Sequence, residues 1–331
     1  MSDIPTDSRL TAAMQQACRE ARLWMGMTSP NPPVGAVALD KNGQILAAAA
    51  HKRAGEDHAE MALIKLCHEQ NLIQQVHTIC VTLEPCNHTG RTPPCCDALI
   101  MAEIHRVVVG CRDPNRTVKG GGIERLSHEG IEIVEGIETE ACKRLIHAFA
   151  FHAATGKPFV TVKRAFDENG SMVPSEKKKT FTSKESLILA HRLRKKADAI
   201  VTGSGTILAD NPLFTVRHVP DHKGKQRYLA ILDRRGRVPH DYIEQAEKRG
   251  LDAFIYKDVD RCFSDLTARG VRDILLEAGP LLSRAILGSA HWTMLVDIHK
   301  GEPDRVEVSF NENAPIPFDT QNVELETLLP L

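Results

Sequence analysis

Apolar residues recur at helical spacing through Leu10, Ala13, Met14, Ala17 and Ala21, which predicts an amphipathic helix capped at Asp7 or Ser8. The period then changes. Residues 34–39 and 45–50 are apolar runs flanking Asp40-Lys41-Asn42-Gly43, a turn-forming tetrapeptide, and together they read as a hairpin. From His58 the helical period returns, with Met61, Ala62, Ile64 and Leu66 on one side. Residues 78–83 form a strand, 97–102 a helix and 107–110 a further strand. This order predicts a three-layer α/β domain with its site at strand ends.

Past Thr155-Gly156-Lys157-Pro158, a hinge-like stretch, the pattern starts again. Short apolar runs of buried-strand type occur at 159–165, 199–202, 228–233, 253–256, 274–277 and 294–297, most separated by helical stretches such as 183–196. At 331 residues the chain is long for one core. We read two α/β domains, 1–154 and 155–331, with no internal repeat and no low-complexity sequence.

Composition excludes more than it identifies. Hydrophobic residues at 42% and charged residues at 26% are ordinary for a globular protein. A formal net charge of -1 and an aromatic content of 5% count against a nucleic-acid partner, and no apolar run approaches the ~18 residues of a membrane span. Met1-Ser2-Asp3-Ile4-Pro5 lacks the basic and apolar regions of a signal peptide. The odd count of nine cysteines shows no disulfide spacing, and Cys18, Cys67 and Cys142 sit in helix-like stretches as small apolar residues. A reducing cytoplasm is the expected compartment.

Three of the remaining cysteines and histidines form a pattern of another kind. His58-Ala59-Glu60 is followed by Pro85-Cys86 and Pro94-Cys95. One imidazole and two thiolates hold zinc with a fourth position left for water, whose pKa falls on binding. A carboxylate beside the metal but not bound to it, here Glu60, can relay the proton to a departing amine. Nucleobase deaminases combine these parts in this order. A structural zinc site would instead show paired C-x2-C or H-x3-H spacings and four ligands. Eight residues separate Cys86 from Cys95, where many deaminases have two, so the loop bearing His88, Gly90, Arg91 and Thr92 is expected to contact substrate. Cys96 is an alternative ligand, with Cys95 preferred because it follows Pro94 directly.

Ser29-Pro30-Asn31-Pro32-Pro33-Val34-Gly35, the His58 motif, the loop 83–95 with Arg91-Thr92-Pro93-Pro94-Cys95, and Asp113-Pro114-Asn115 together resemble the bifunctional deaminase–reductase family of riboflavin biosynthesis. The resemblance spans essentially the whole chain, more strongly up to about residue 155. It implies a cytidine-deaminase-like domain followed by a dihydrofolate-reductase-like domain. The implied substrate is a diamino-pyrimidinone ribosyl 5'-phosphate, deaminated at C2. Glu60 would carry the proton, Asn31 would hold the ring, and His51, His88 and Arg91 are candidates for ring or phosphate contacts. Lys119 with Gly120-Gly121-Gly122 is a candidate phosphate loop.

For the second domain the resemblance implies NADPH-dependent reduction of the ribosyl chain to ribityl. Carried across by position, Thr206, Asp210 and the segment starting at Gly279 would contact the cofactor. Arg194, Leu213, Arg217 and Glu277 would contact substrate, the arginines at its phosphate. The stretches Phe166-Asp167-Glu168-Asn169-Gly170, Lys177-Lys178-Lys179-Thr180-Phe181, Leu232-Asp233-Arg234 and His299-Lys300-Gly301-Glu302-Pro303 depart from the family's usual sequence. Arg234 and the lysine run are candidates for replacing lost contacts to the cofactor's 2'-phosphate. A deaminase with a non-catalytic second domain therefore remains a rival reading, as does a nucleic-acid base deaminase. The resemblance also implies a homo-oligomer.

Overall fold

The computed structural model describes residues 8–87, 94–115, 121–173, 182–321 and 323–331. Packing divides the chain into two units, one extending to Ala154 and including Pro317–Leu331, the other Thr155–Ile316.

The first unit is built from α1 (Ser8–Trp24), β1 (Gly35–Leu39), β2 (Ile45–Ala50), α2 (Ala59–Glu69), β3 (Thr78–Leu83), α3 (Cys95–Met101), β4 (Arg106–Cys111), α4 (Gly122–His128), β5 (Glu132–Glu135), α5 (Thr139–Leu145) and α6 (His147–Thr155). Its sheet runs β2-β1-β3-β4-β5, with β3, β4 and β5 parallel and the β1–β2 hairpin antiparallel. β1 and β3 are buried along their whole length, as central strands covered on both faces must be. The periodic apolar residues of α1 (Leu10, Ala13, Met14, Ala17, Cys18 and Ala21) are all buried. That helix can lie close to β1 because Gly35 has no side chain: a Cβ there would stand 2.0 Å from the Ala17 carbonyl oxygen. The hairpin turn is held by Asp40, whose Oδ1 accepts from Asn42 and Gln44 N–H, both at 2.8 Å.

The second unit contains β6 (Phe159–Phe166), α7 (Lys184–Lys196), β7 (Ala199–Gly203), α8 (Ser204–Asp210), β8 (Arg227–Leu232), α9 (His240–Lys248), β9 (Leu251–Tyr256), α10 (Val259–Ala268), β10 (Asp273–Glu277), α11 (Pro280–Leu287), β11 (Met294–His299) and β12 (Arg305–Phe310). The sheet order is β12-β11-β6-β10-β7-β8-β9, parallel except for the antiparallel edge strand β12. Alternate strand residues feed two cores. Val201 and Ala230 join a cluster with Cys262 and Leu266 of α10, while Ile200, Leu229 and Ile231 join one with Tyr242 and Ala246 of α9. Ser183 caps α7 by accepting the Ser186 N–H at 3.1 Å. Lys225 Nζ closes its other end, donating to the Lys195 and Lys196 carbonyls at 2.9 Å each.

Several elements lie outside the predicted runs, among them the short helices α4, α5 and α6 and the edge strands β5 and β12, whose residues are largely half-exposed or exposed. One boundary needs correction as well. The sequence assigns everything after residue 155 to the second domain, yet Pro317–Leu331 belongs with the first unit. Leu328 and Leu329 are fully buried there, and Arg22 of α1 donates to the Leu329 carbonyl at 3.1 Å. Phe318 stacks edge-on against His147 of α6, with ring centroids 6.3 Å apart. Burial of these apolar side chains decides which unit the tail joins.

Candidate functional site

The parallel pairing of β3 with β4 brings the segments that follow them to one edge of the first sheet. There β3 leads into Glu84-Pro85-Cys86 and β4 into Arg112-Asp113-Pro114-Asn115. His58 is the N-cap residue of α2, and Cys95 is the first residue of α3, directly after its N-cap Pro94.

These elements converge. His58 Nδ1 is 3.7 Å from Cys86 Sγ and 3.4 Å from Cys95 Sγ, and the three ligand atoms lie within 4.8 Å of one another. Tetrahedral zinc with ordinary Zn–N and Zn–S bonds needs donor atoms about 3.5–3.8 Å apart, so the donor set fits the ion in both chemistry and spacing. Among the described residues this is the one cluster of its kind. Cys96, the alternative, turns away: its thiol lies 3.7 Å from both the Pro85 and Gly122 carbonyl oxygens, in the core. The Cys95 N–H donates to Cys86 Sγ at 3.3 Å, which supports the sulfur in its charged form. The two thiols share a proton, which takes Cys86 down to about 4 and pushes Cys95 well above the usual thiol range.

Glu60 stands beside this cluster, 3% exposed, and burial raises its carboxyl above the ordinary range. A cavity of about 500 Å³ opens over it, lined by Asn31, His51, His58, Glu60 and Cys86 among others. His51 is buried, and burial lowers its pKa. Its Nδ1–H donates to the Asp57 carbonyl at 2.9 Å, which leaves Nε2 to accept from Asn31 Nδ2 at 3.2 Å. The Asn31 amide at the cavity wall is thus held by a neutral imidazole.

The sequence reading missed Glu84, which organises this wall. Its carboxylate accepts three backbone N–H groups, Asp113 at 3.1 Å, Gly121 at 3.3 Å and Ile123 at 3.4 Å, so one buried side chain ties the β4–α4 connection to the cysteine loop. Asp113, Asn115 and Phe149 also line the cavity. His88, Gly90, Arg91, Thr92, Lys119 and Gly120 lie outside the described residues.

In the second unit the glycine turns after β7 and β10 sit at the ends of neighbouring parallel strands. Thr206 Oγ1 accepts the Gly279 N–H at 2.9 Å and joins the two turns. Gly205 faces open space, Asp210 is exposed at the end of α8, and Arg237 Nη2 donates to Ser204 Oγ at 3.0 Å. Backbone N–H groups, a hydroxyl and a cation at such an edge are suited to a pyrophosphate-bearing cofactor. The cation at this edge is Arg237; Arg234, the candidate for the 2'-phosphate, is exposed nearby in sequence, and residues 177–179 lie outside the described residues.

Arg194 and Glu277 come together, though not as two open ligand contacts. Arg194 Nε and Nη2 donate to the two Glu277 oxygens at 2.6 and 2.7 Å, and Lys163 Nζ stands 3.9 Å from the same carboxylate. The planar fork expected at a phosphate is occupied by a carboxylate. Burial works against ionisation of Glu277, but Arg194 and Lys163 outweigh it and hold the group down to about 2. Arg217 and Leu213 are exposed, and the Arg217 guanidinium donates to its neighbour Thr215 at 3.1 Å.

Comparison with known proteins agrees with both units. Residues 7–111 match the cytidine and deoxycytidylate deaminase zinc-binding region, and residues 170–290 match the RibD C-terminal domain. Riboflavin biosynthesis protein RibD of Aquifex aeolicus is 33% identical over 306 residues, covering 86% of this chain and 84% of the relative. RibD of Mycobacterium tuberculosis H37Rv is 35% identical over 280 residues, covering 83% and 80%. Among solved structures, a Thermotoga maritima diaminohydroxyphosphoribosylaminopyrimidine deaminase/5-amino-6-(5-phosphoribosylamino)uracil reductase superposes with a TM-score of 0.78 at 28% identity, covering 88% of this chain and 86% of that one. Acinetobacter baumannii RibD gives 0.74 at 28% identity, covering 96% and 92%. With a deaminase-type zinc-binding unit and a reductase-type unit in one polypeptide, the chain belongs to the RibD family of riboflavin biosynthesis proteins.

Proposed function

We propose that the chain carries out both reactions for which its Thermotoga relative is named. The first unit removes the C2 amino group of a diamino-pyrimidinone ribosyl 5'-phosphate by hydrolysis. The second reduces the ribosyl chain of the product to ribityl with NADPH. The observation that carries this reading is the meeting of His58, Cys86 and Cys95 beside the buried Glu60, with His58, Glu60 and Cys86 lining one cavity.

His58, Cys86 and Cys95 would hold zinc, whose contribution is to make a water acidic enough to react near neutral pH. Glu60 accepts the proton lost as water adds to the ring carbon and delivers it to the leaving ammonia. Its burial supports this role, since desolvation raises the carboxyl pKa toward the working pH, where the group can serve as base in one step and as acid in the next. Asn31, oriented by His51, presents its amide to the edge of the pyrimidinone. Asp113, fastened by Glu84 through its backbone N–H, and Asn115 also line the cavity.

In the second unit NADPH would supply hydride, held at the turns of Thr206 and Gly279 with Asp210 at their margin. Leu213 and Arg217 would face the substrate. Arg194 contributes through its pair with Glu277, which keeps a charged patch near Lys163. Nine free cysteines support a reducing cytoplasm, and a homo-oligomer of this chain is our expectation for its assembly.

The test is one reaction containing the zinc-loaded protein, the diamino-pyrimidinone ribosyl phosphate and NADPH, with ammonia and NADPH absorbance followed together. Ammonia release matched by NADPH loss is expected. Ammonia alone would restrict the activity to the first unit, and neither signal would overturn the reading.

A further inference from the structure

His191 lies on α7 in the second unit and is only 2% exposed. Its Nδ1 accepts the backbone N–H of Arg217 at 2.9 Å. An imidazole that accepts at Nδ1 is neutral and carries its proton on Nε2. Nε2 in turn stands 3.5 Å from Arg194 Nη1, which is itself a donor. Protonating the ring would add charge among Arg194, Arg217 and His218. Burial first, and then Arg194 and its other neighbours, push its pKa down to about 4 against the opposing pull of Glu277. His218 packs edge-on at 4.6 Å between centroids and fixes the ring plane. The ring is therefore a permanent, oriented acceptor.

What it holds is a segment with no regular structure of its own. After α8 the chain passes through Asn211 at φ 43°, a left-handed conformation asparagine takes readily at a helix end, and Phe214 at φ 54°, one that a bulky residue adopts only under constraint. The surrounding residues supply that constraint at four points. Tyr242 Oη donates to the Pro212 carbonyl at 2.6 Å, and Phe214 is buried to 1% exposure. Arg194 Nη1 donates to the Thr215 carbonyl at 3.3 Å, and His191 takes the Arg217 N–H. The last two fix the backbone on either side of Val216, so the exposed Arg217 side chain projects from an anchored peptide.

We propose that His191 is a positioning residue of the reductase site: its Nδ1 holds the backbone at Arg217 and thereby sets where that guanidinium meets the substrate's phosphate. This inference rests on the reading of Arg217 as a substrate contact.

The experiment uses the full chain, with deamination by the first unit as an internal measure of intact protein. His191→Leu keeps the volume and removes the acceptor, whereas His191→Asn restores an acceptor near the Nδ1 position. In the Leu variant, hydrogen exchange of the peptide containing Arg217 is expected to quicken roughly five- to tenfold, with a similar rise in the reductase KM and kcat within about twofold. The Asn variant should recover most of both. Unchanged exchange at Arg217 in the Leu variant, or a wild-type KM despite faster exchange, would overturn the proposal. So would an Asn variant as impaired as Leu. Arg217→Ala separates the two layers of the argument. A raised KM there with none in His191→Leu would sink only the positioning role, while a wild-type KM would remove Arg217 from the substrate site and the inference with it.

Discussion

A Cβ on Gly122 would lie 2.0 Å from the carbonyl oxygen of Pro85 and 3.4 Å from Cys96 Sγ. The start of α4 therefore rests directly on the peptide that precedes Cys86, a candidate zinc ligand. Backbone blocks the way on the Pro85 side, so no rotamer change relieves the clash. Gly122→Ala is expected to cost the first unit about 1–3 kcal/mol through overpacking. Displacing the Cys86 peptide should also weaken zinc retention by roughly 10–100-fold. Thermal unfolding and competition with a chelator would measure the two effects. A variant with wild-type melting and zinc affinity would show that this approach places no demand on the site.

Glu60 is two residues from His58 in sequence, but its assigned work is proton transfer and not ligation. Glu60→Gln is therefore expected to keep stoichiometric zinc while deamination falls by about 10²–10⁴. Reduction of independently supplied deaminated product should be untouched. Metal analysis beside an ammonia assay checks this. Loss of zinc in the variant would reassign Glu60 to the metal, and near-normal turnover would remove it from the chemistry.

Arg194 and Glu277 form a buried bidentate pair, and removing the cation strands the anion. Arg194→Leu leaves Glu277 with Lys163 at 3.9 Å as its remaining charged partner. The second unit should lose about 3–5 kcal/mol, as when one member of a buried pair is deleted. Denaturant unfolding followed at Trp292, in a Trp24→Phe background, isolates this unit because the chain has two tryptophans. A loss below about 1 kcal/mol would mean that the pair is effectively solvated.

Acid should weaken the second unit in two stages. His191 is held down to about 4, below the ordinary histidine value of about 6.5. Between those values the unfolded chain binds a proton that the folded chain does not, so stability falls as pH drops from about 6.5 towards about 4. Glu277, held down to about 2, contributes stability that is present above its ordinary value of about 4.3 and is lost as pH falls towards about 2. Urea midpoints at Trp292 between pH 8 and pH 4 should therefore decline below about 6.5, and His191→Leu should flatten that first decline. A flat wild-type profile over this range would contradict a neutral, buried His191.

The chemistry of the first unit was legible because it sits in contiguous motifs. His58 and Glu60 are two positions apart on one helix start, and Cys86 and Cys95 each directly follow a proline. What could not be read is how distant segments meet. Glu84 looks like any glutamate after a strand, and only the fold brings it the N–H groups of Asp113, Gly121 and Ile123. Arg194 and Glu277 were each legible as candidate contacts, but their pairing across 83 positions was not.

The two α/β patterns, a His/Cys donor set suited to zinc and the glutamate two positions from its histidine were all readable along the chain. Hydrophobic period and ligand identity are local properties of the chain, so they survive without coordinates. The tertiary structure decided the choice of Cys95 over Cys96, the neutral state of His191, and the return of Pro317–Leu331 to the first unit. Each depends on which buried group meets which across many residues. The cost of leaving a polar atom unpaired, or an apolar one in water, is settled only when those segments pack.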